Sequence, residues 1–131
     1  MAGSEAHHML TERTAFSGFS SDDIGRAKTF YADTLGVTVG EENGMLNLEL
    51  AGGQRVLIYP KDDHQPATFT ALNFEVPDIN ATVADLGEGG VTFERYEGSG
   101  QDEHGIAREF GPPIAWFKDP AGNILSVIQT A

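Results

Sequence analysis

The chain has 131 residues, 40% of them apolar and 21% charged, with no cysteine and a formal charge of −12. Its length supports one domain burying roughly 65–70% of its unfolded surface, and the missing thiols exclude disulfides, thiolate metal sites and a cysteine nucleophile. Twenty acidic against eight basic side chains argue against nucleic acid and against anionic lipid, both of which call for clustered cations, while the same excess suits a cationic ligand.

Residues 1–13 lack the basic start and apolar core of a signal peptide and read as a disordered arm, with His7-His8 an incidental pair. No stretch approaches the roughly 20 apolar residues of a membrane span, so a cytoplasmic location is the default expectation. Segment 14–20 alternates as a strand can. Asp22 and Asp23 supply acceptors for a helix start, Ile24, Ala27, Tyr31 and Leu35 recur at helical spacing, and Gly36 stops the helix. Glu42-Asn43-Gly44 is a hairpin signal joining 37–41 to 45–50, and Gly52-Gly53 turns the chain into 55–59.

A polar linker at 61–68, containing Pro66, precedes a strand at 69–76. Asp78 then caps a helix carrying Ile79, Val83 and Leu86, which Gly89-Gly90 ends before a strand at 91–96. Segment 97–113 is long and irregular, the kind of loop that is usually functional or disordered. Strands Ile114–Lys118 and Ile124–Gln129 close the chain around the turn Asp119-Pro120-Ala121-Gly122-Asn123.

The same unit is written twice. Asp23-Ile24 leads to Gly36-Val37-Thr38 as Asp78-Ile79 leads to Gly90-Val91-Thr92, with a one-residue difference in the interval. Unit one spans 14–60 and unit two 69–129, each reading strand, helix, then three strands, within a single domain over 14–131. The expected fold is α+β: tandem βαβββ units forming two four-stranded mixed sheets around a shared cleft, helices outside, with the core divided between the halves.

The runs from Asp23-Ile24 through Thr29-Phe30-Tyr31 to Leu35-Gly36, Asn73-Phe74-Glu75-Val76-Pro77-Asp78-Ile79, and Phe117-Lys118-Asp119-Pro120-Ala121-Gly122-Asn123 resemble the vicinal oxygen chelate superfamily. That superfamily includes glyoxalase I, bleomycin-resistance proteins and extradiol dioxygenases, and the resemblance covers about residues 14–129. It implies that metal-dependent relatives place His or Glu on the first and last strands of each unit. Those positions fall here on Phe16, Leu57, Ala71 and Ser126, none of which anchors a divalent ion. No cofactor is therefore expected, with a divalent metal left open.

Asp62-Asp63-His64 and Asp102-Glu103-His104 pair carboxylates with imidazole, but consecutive residues rarely aim at one ion and both triplets read as solvated turns. The second lies in the long loop, expected near the cleft, where Asp102, Glu103, His104 or Arg108 could meet a ligand. His104 is there the candidate general base, imidazole being suited to proton transfer near neutral pH. Strand parity adds Tyr59 to Leu57 and Asn73 to Ala71 on the inward side, and Asn47 and Trp116 hold equivalent third-strand positions. The candidate ligand-binding set is thus Phe16, Asn47, Leu57, Tyr59, Ala71, Asn73, Trp116 and Ser126, aromatic walls with a few amides that suit a flat organic ligand. The alternative is that the aromatic members simply fill a closed core.

Three functions follow. The first is a metal-independent protein of the bleomycin-resistance kind, holding a small organic and conceivably cationic molecule. The second is a lyase, isomerase or dioxygenase whose donors come from 97–113 or from a second subunit. The third is a non-catalytic accessory subunit. The resemblance also implies a homodimer.

Overall fold

A computed structural model describes residues 9–130, so most of the arm expected over 1–13, His7 and His8 included, lies outside the described residues. Strands β1 (Ser17–Ser21), β2 (Thr38–Glu42), β3 (Met45–Glu49) and β4 (Arg55–Pro60) form one sheet in the order β1-β4-β3-β2. Strands β5 (Thr70–Val76), β6 (Ile114–Lys118) and β7 (Ile124–Gln129) form a second in the order β5-β7-β6. The first strand of each unit pairs parallel to the last, and the hairpin-linked strands pair antiparallel. A parallel pair needs a crossover, and each unit supplies a helix for it: α1 (Ile24–Thr29) and α2 (Ile79–Glu88). Among the described residues no helix is long and apolar enough to cross a membrane.

Both helices begin at the predicted acidic caps. The Arg26 amide donates to Asp23 Oδ1 at 3.0 Å and the Ala81 amide to Asp78 Oδ1 at 3.2 Å. The first helix loosens into a π turn over Phe30–Thr34, closed by the Leu35 amide on the Phe30 carbonyl at 3.0 Å. Gly36 then takes a φ of 73°, a conformation glycine adopts without steric cost, and the helix ends.

Two expectations are corrected. The strand expected at 91–96 reduces to one bridge, Phe93 to Phe117, leaving the second sheet with three strands. The Glu94 amide still donates to the Trp116 carbonyl at 2.8 Å, but other backbone groups of the segment are bonded by one side chain from the following loop. Gln101 donates to the Glu94 carbonyl at 2.7 Å and accepts from the Tyr96 amide at 2.7 Å, while Arg95 donates to the carbonyls of Asp102 and Glu103. The core is likewise not divided: Tyr31, Leu46, Leu48 and Ile58 of unit one join Ile79, Phe117, Leu125 and Val127 of unit two in one buried cluster.

A polar seam locks the units together beside that core. Tyr31, fully buried, donates its hydroxyl to Asp119 Oδ2 at 2.7 Å across the unit boundary. Burial, reinforced by that carboxylate, holds the Tyr31 phenol far above its ordinary value near 10. Above about pH 10 the unfolded chain releases this proton while the folded chain keeps it, so stability falls as pH rises, by up to about 1.4 kcal/mol per pH unit. Urea midpoints measured from about pH 9 to 12 should therefore decline more steeply in the wild type than in Tyr31→Phe.

Candidate functional site

Period-two alternation divides each sheet into a core face and an open face. In β3 and β4, Leu46, Leu48, Val56 and Ile58 are buried against the helices, which puts Asn47, Arg55, Leu57 and Tyr59 on the other side. In β6 and β7, Ala115, Phe117, Leu125 and Val127 are buried, which puts Trp116 and Ser126 on the other side. Cross-strand register then assembles two corresponding rows, Gly40–Asn47–Leu57–Gly18 on the first sheet and Asn73–Ser126–Trp116 on the second. Glycine stands at both ends of the first row, and at Gly18 a Cβ would meet the Leu57 carbonyl oxygen at 3.1 Å.

The edge strands β1 and β5 border a groove of about 550 Å³, lined in part by Phe16, Ala71 and Asn73. Of the eight candidate residues, these three line the groove. The other five do not: Asn47, Leu57, Trp116 and Ser126 stand in the two rows outside it, and Tyr59 lies one step along β4, opposite Ser20. Trp116 meets Tyr96 edge-on at 5.4 Å between ring centroids. Ser126 is fully buried and donates its hydroxyl to Asn73 Oδ1 at 2.5 Å.

The positions at which a family metal site would be ligated do not fit one. Phe16, Leu57 and Ala71 carry no donor atom, and the Ser126 hydroxyl is committed to Asn73. Among the described residues no group of three or more His, Asp or Glu side chains could hold a metal ion.

Segment 97–113 does not border the groove as expected; it packs against α2. Ile106 is buried in the core, and His104 lines a hollow on α2 with Asn80, Val83 and Phe93. Arg108 donates to Asn80 Oδ1 at 2.6 Å and lies 3.4 Å from Asp102 Oδ2. Asp102 turns inward to organise its own loop, accepting from the amides of His104 at 2.9 Å and Ile106 at 3.0 Å. Partial burial pushes its carboxyl up, but those amides and the Arg108 guanidinium outweigh it and hold the group below the usual carboxylate range. His104 is left exposed beside Glu103, at 3.6 Å, away from the groove.

The other triplet is also more than a solvated turn. His64 Nε2 lies 2.9 Å from the Ala121 carbonyl, which can only accept, so in the neutral ring Nδ1 accepts from Ser20 Oγ at 2.6 Å. The imidazole thereby pins the linker to both units.

Sequence reasoning missed Gln54, Arg55 and Glu75, which also line the groove. Arg55 precedes Leu57 by two and Glu75 follows Asn73 by two, so the parity rule that selected their neighbours selects them as well. The Arg55 guanidinium carbon sits 4.3 Å from the centroid of the Phe16 ring.

Solved structures share this architecture. A glyoxalase family protein from Enterococcus faecalis superposes with a TM-score of 0.67 at 24% identity, over 92% of this chain and 100% of its own. TnmS3, an antibiotic binding protein from Streptomyces sp. CB03234, gives 0.67 at 21% identity over 92% and 98%. The fosfomycin resistance protein FosX from Mesorhizobium loti gives 0.63 at 12% identity over 92% and 93%. At these identities the likeness is one of fold. No curated protein matches the chain. The family model described as Glyoxalase/Bleomycin resistance protein/Dioxygenase superfamily matches residues 6–127, nearly the whole chain, and the protein belongs to that superfamily.

Proposed function

We propose that this protein binds a small organic molecule between its two sheets, with no resident divalent metal at the family's usual ligand positions. The observation that carries this reading is the composition of those positions: three are occupied by Phe16, Leu57 and Ala71, and the fourth by a serine already hydrogen-bonded to Asn73. A groove of about 550 Å³ with an aromatic wall and amide groups has the size and chemistry of a ligand pocket. The similar fold of an antibiotic binding protein supports it. The single core shared by both units supports reading 14–131 as one domain. The competing enzymatic reading, with donors drawn from 97–113, loses its support because that segment packs on α2.

Screening small aromatic compounds by NMR tests the proposal. Ligands should perturb the backbone amides of Phe16, Gln54 and Asn73, and Phe16→Ala should weaken them by roughly five- to tenfold, the scale of one aromatic contact. Ligands that bind the Ala variant unchanged and perturb other residues would relocate the site. Stoichiometric zinc, iron, manganese or nickel retained through dilute EDTA would overturn the metal-free reading. We also propose a homodimer, supported by the exposed rings of Phe69 and Phe110 and tested by sedimentation velocity.

A further inference from the structure

We propose that the groove selects a planar organic monocarboxylate, with Arg55 anchoring the anion and Asn73 as the second donor. This rests on the reading of the groove as a binding site and gives its ligand a charge opposite to the one the acidic composition suggests.

Three observations converge. First, among the described residues Arg55 makes no ion pair within 4.0 Å. Its guanidinium carbon lies over the Phe16 ring at 4.3 Å from the centroid, and among the described residues its N–H groups donate to no side chain. That donor fork matches a carboxylate bidentately.

Second, Asn73 is held in one orientation. The buried Ser126 hydroxyl must donate, and the acceptor it meets is Asn73 Oδ1 at 2.5 Å. Turning the amide over would set the Asn73 amino group against that hydroxyl and leave the hydroxyl proton without its acceptor. The amino group of Asn73 therefore points away from Ser126, and its residue lines the groove. Two residues with donor groups line one cavity, which calls for a ligand rich in acceptors.

Third, the remaining lining limits what else the ligand carries. Phe16 and Leu50 offer a flat apolar surface for a conjugated body. Glu75 on the same groove opposes a second negative charge, which restricts the ligand to a monoanion. The net charge of −12 repels anions at long range, yet salt screens it over about 8–10 Å. Short-range donors decide the preference.

The test titrates 1-naphthoate, neutral 1-naphthamide and 1-naphthylmethylammonium into the full chain, followed by NMR and calorimetry. Naphthoate should bind tightest, with the amide at least about tenfold weaker, the scale of a lost charge-assisted pair. Arg55→Gln should weaken naphthoate about tenfold, and weaken the amide by much less, so that the two affinities converge. Arg55→Lys, which keeps the charge without the fork, should fall between. Glu75→Gln should tighten naphthalene-1,4-dicarboxylate. Arg55 and Glu75 are exposed, so these variants are expected to fold. If naphthamide binds the groove as tightly as naphthoate, or Arg55→Gln has no effect, the anion preference is wrong while the groove remains a binding site. If none of the three probes perturbs Phe16, Asn73 or Gln54, both the preference and the binding reading fail.

Discussion

Asp119→Ala is expected to lower stability by about 3–5 kcal/mol, a large part of what a domain this size possesses. The side chain is nearly inaccessible and serves four donors at once. Its Oδ1 accepts from the amides of Ala121 at 3.0 Å and Asn123 at 2.9 Å, closing the β6–β7 turn. Its Oδ2 accepts from the Tyr31 hydroxyl at 2.7 Å and from Asn123 Nδ2 at 3.0 Å, and Asn123 in turn donates to the Ser20 carbonyl at 3.0 Å. Alanine leaves these donors facing a void that is too enclosed for each to find water. Tyr31→Phe removes one hydrogen bond and leaves the carboxylate its other three, so its cost should be about 1.5–3 kcal/mol. Urea unfolding followed by Trp116 fluorescence checks both, through a lower midpoint at unchanged slope. Equal losses for the two variants would mean that the turn amides gain nothing from Asp119.

This seam marks the limit of what the sequence discloses. Asp119-Pro120-Ala121-Gly122-Asn123 is legible as a turn, because the Asp and Asn side chains that close it act within five residues. That the same carboxylate holds a tyrosine 88 residues away is a tertiary fact with no local signature. Strand and helix positions are legible wherever periodicity and caps act locally: the hairpins, Asp23, Asp78 and the repeat of one strand–helix–strand unit. The strand expected at 91–96 is absent because apolar alternation cannot show that the Gln101 side chain bonds the backbone of Glu94 and Tyr96 in place of a strand partner. His64 was read as solvated since its partners, Ser20 and Ala121, are distant in the chain. On the open faces parity puts Arg55 on the same side of β4 as Leu57, yet a charged residue there carries no signature that separates a groove wall from a solvated edge.

Phe117→Ala should cost about 3–5 kcal/mol, whereas Trp116→Ala, one residue earlier, should cost well under half of that. The two side chains leave β6 on opposite faces. Phe117 is fully buried, with ring centroids of Phe30 at 6.4 Å and Phe93 at 5.7 Å, so it joins the end of α1 to the segment after α2. Deleting it opens a cavity where both units meet, and neighbours fixed by two helices and a sheet can relax only partly. Trp116 is half-buried on the open face, in register with Ser126 and against Tyr96, where water can fill the space it vacates. Neither ring lines the groove, so ligand binding should change little in Trp116→Ala and in Phe117→Ala, the latter measured where the variant is still folded. Thermal melts and the NMR titration on the same two proteins read both halves. Similar stability losses at the two positions would contradict the register that separates the core face of β6 from its open face.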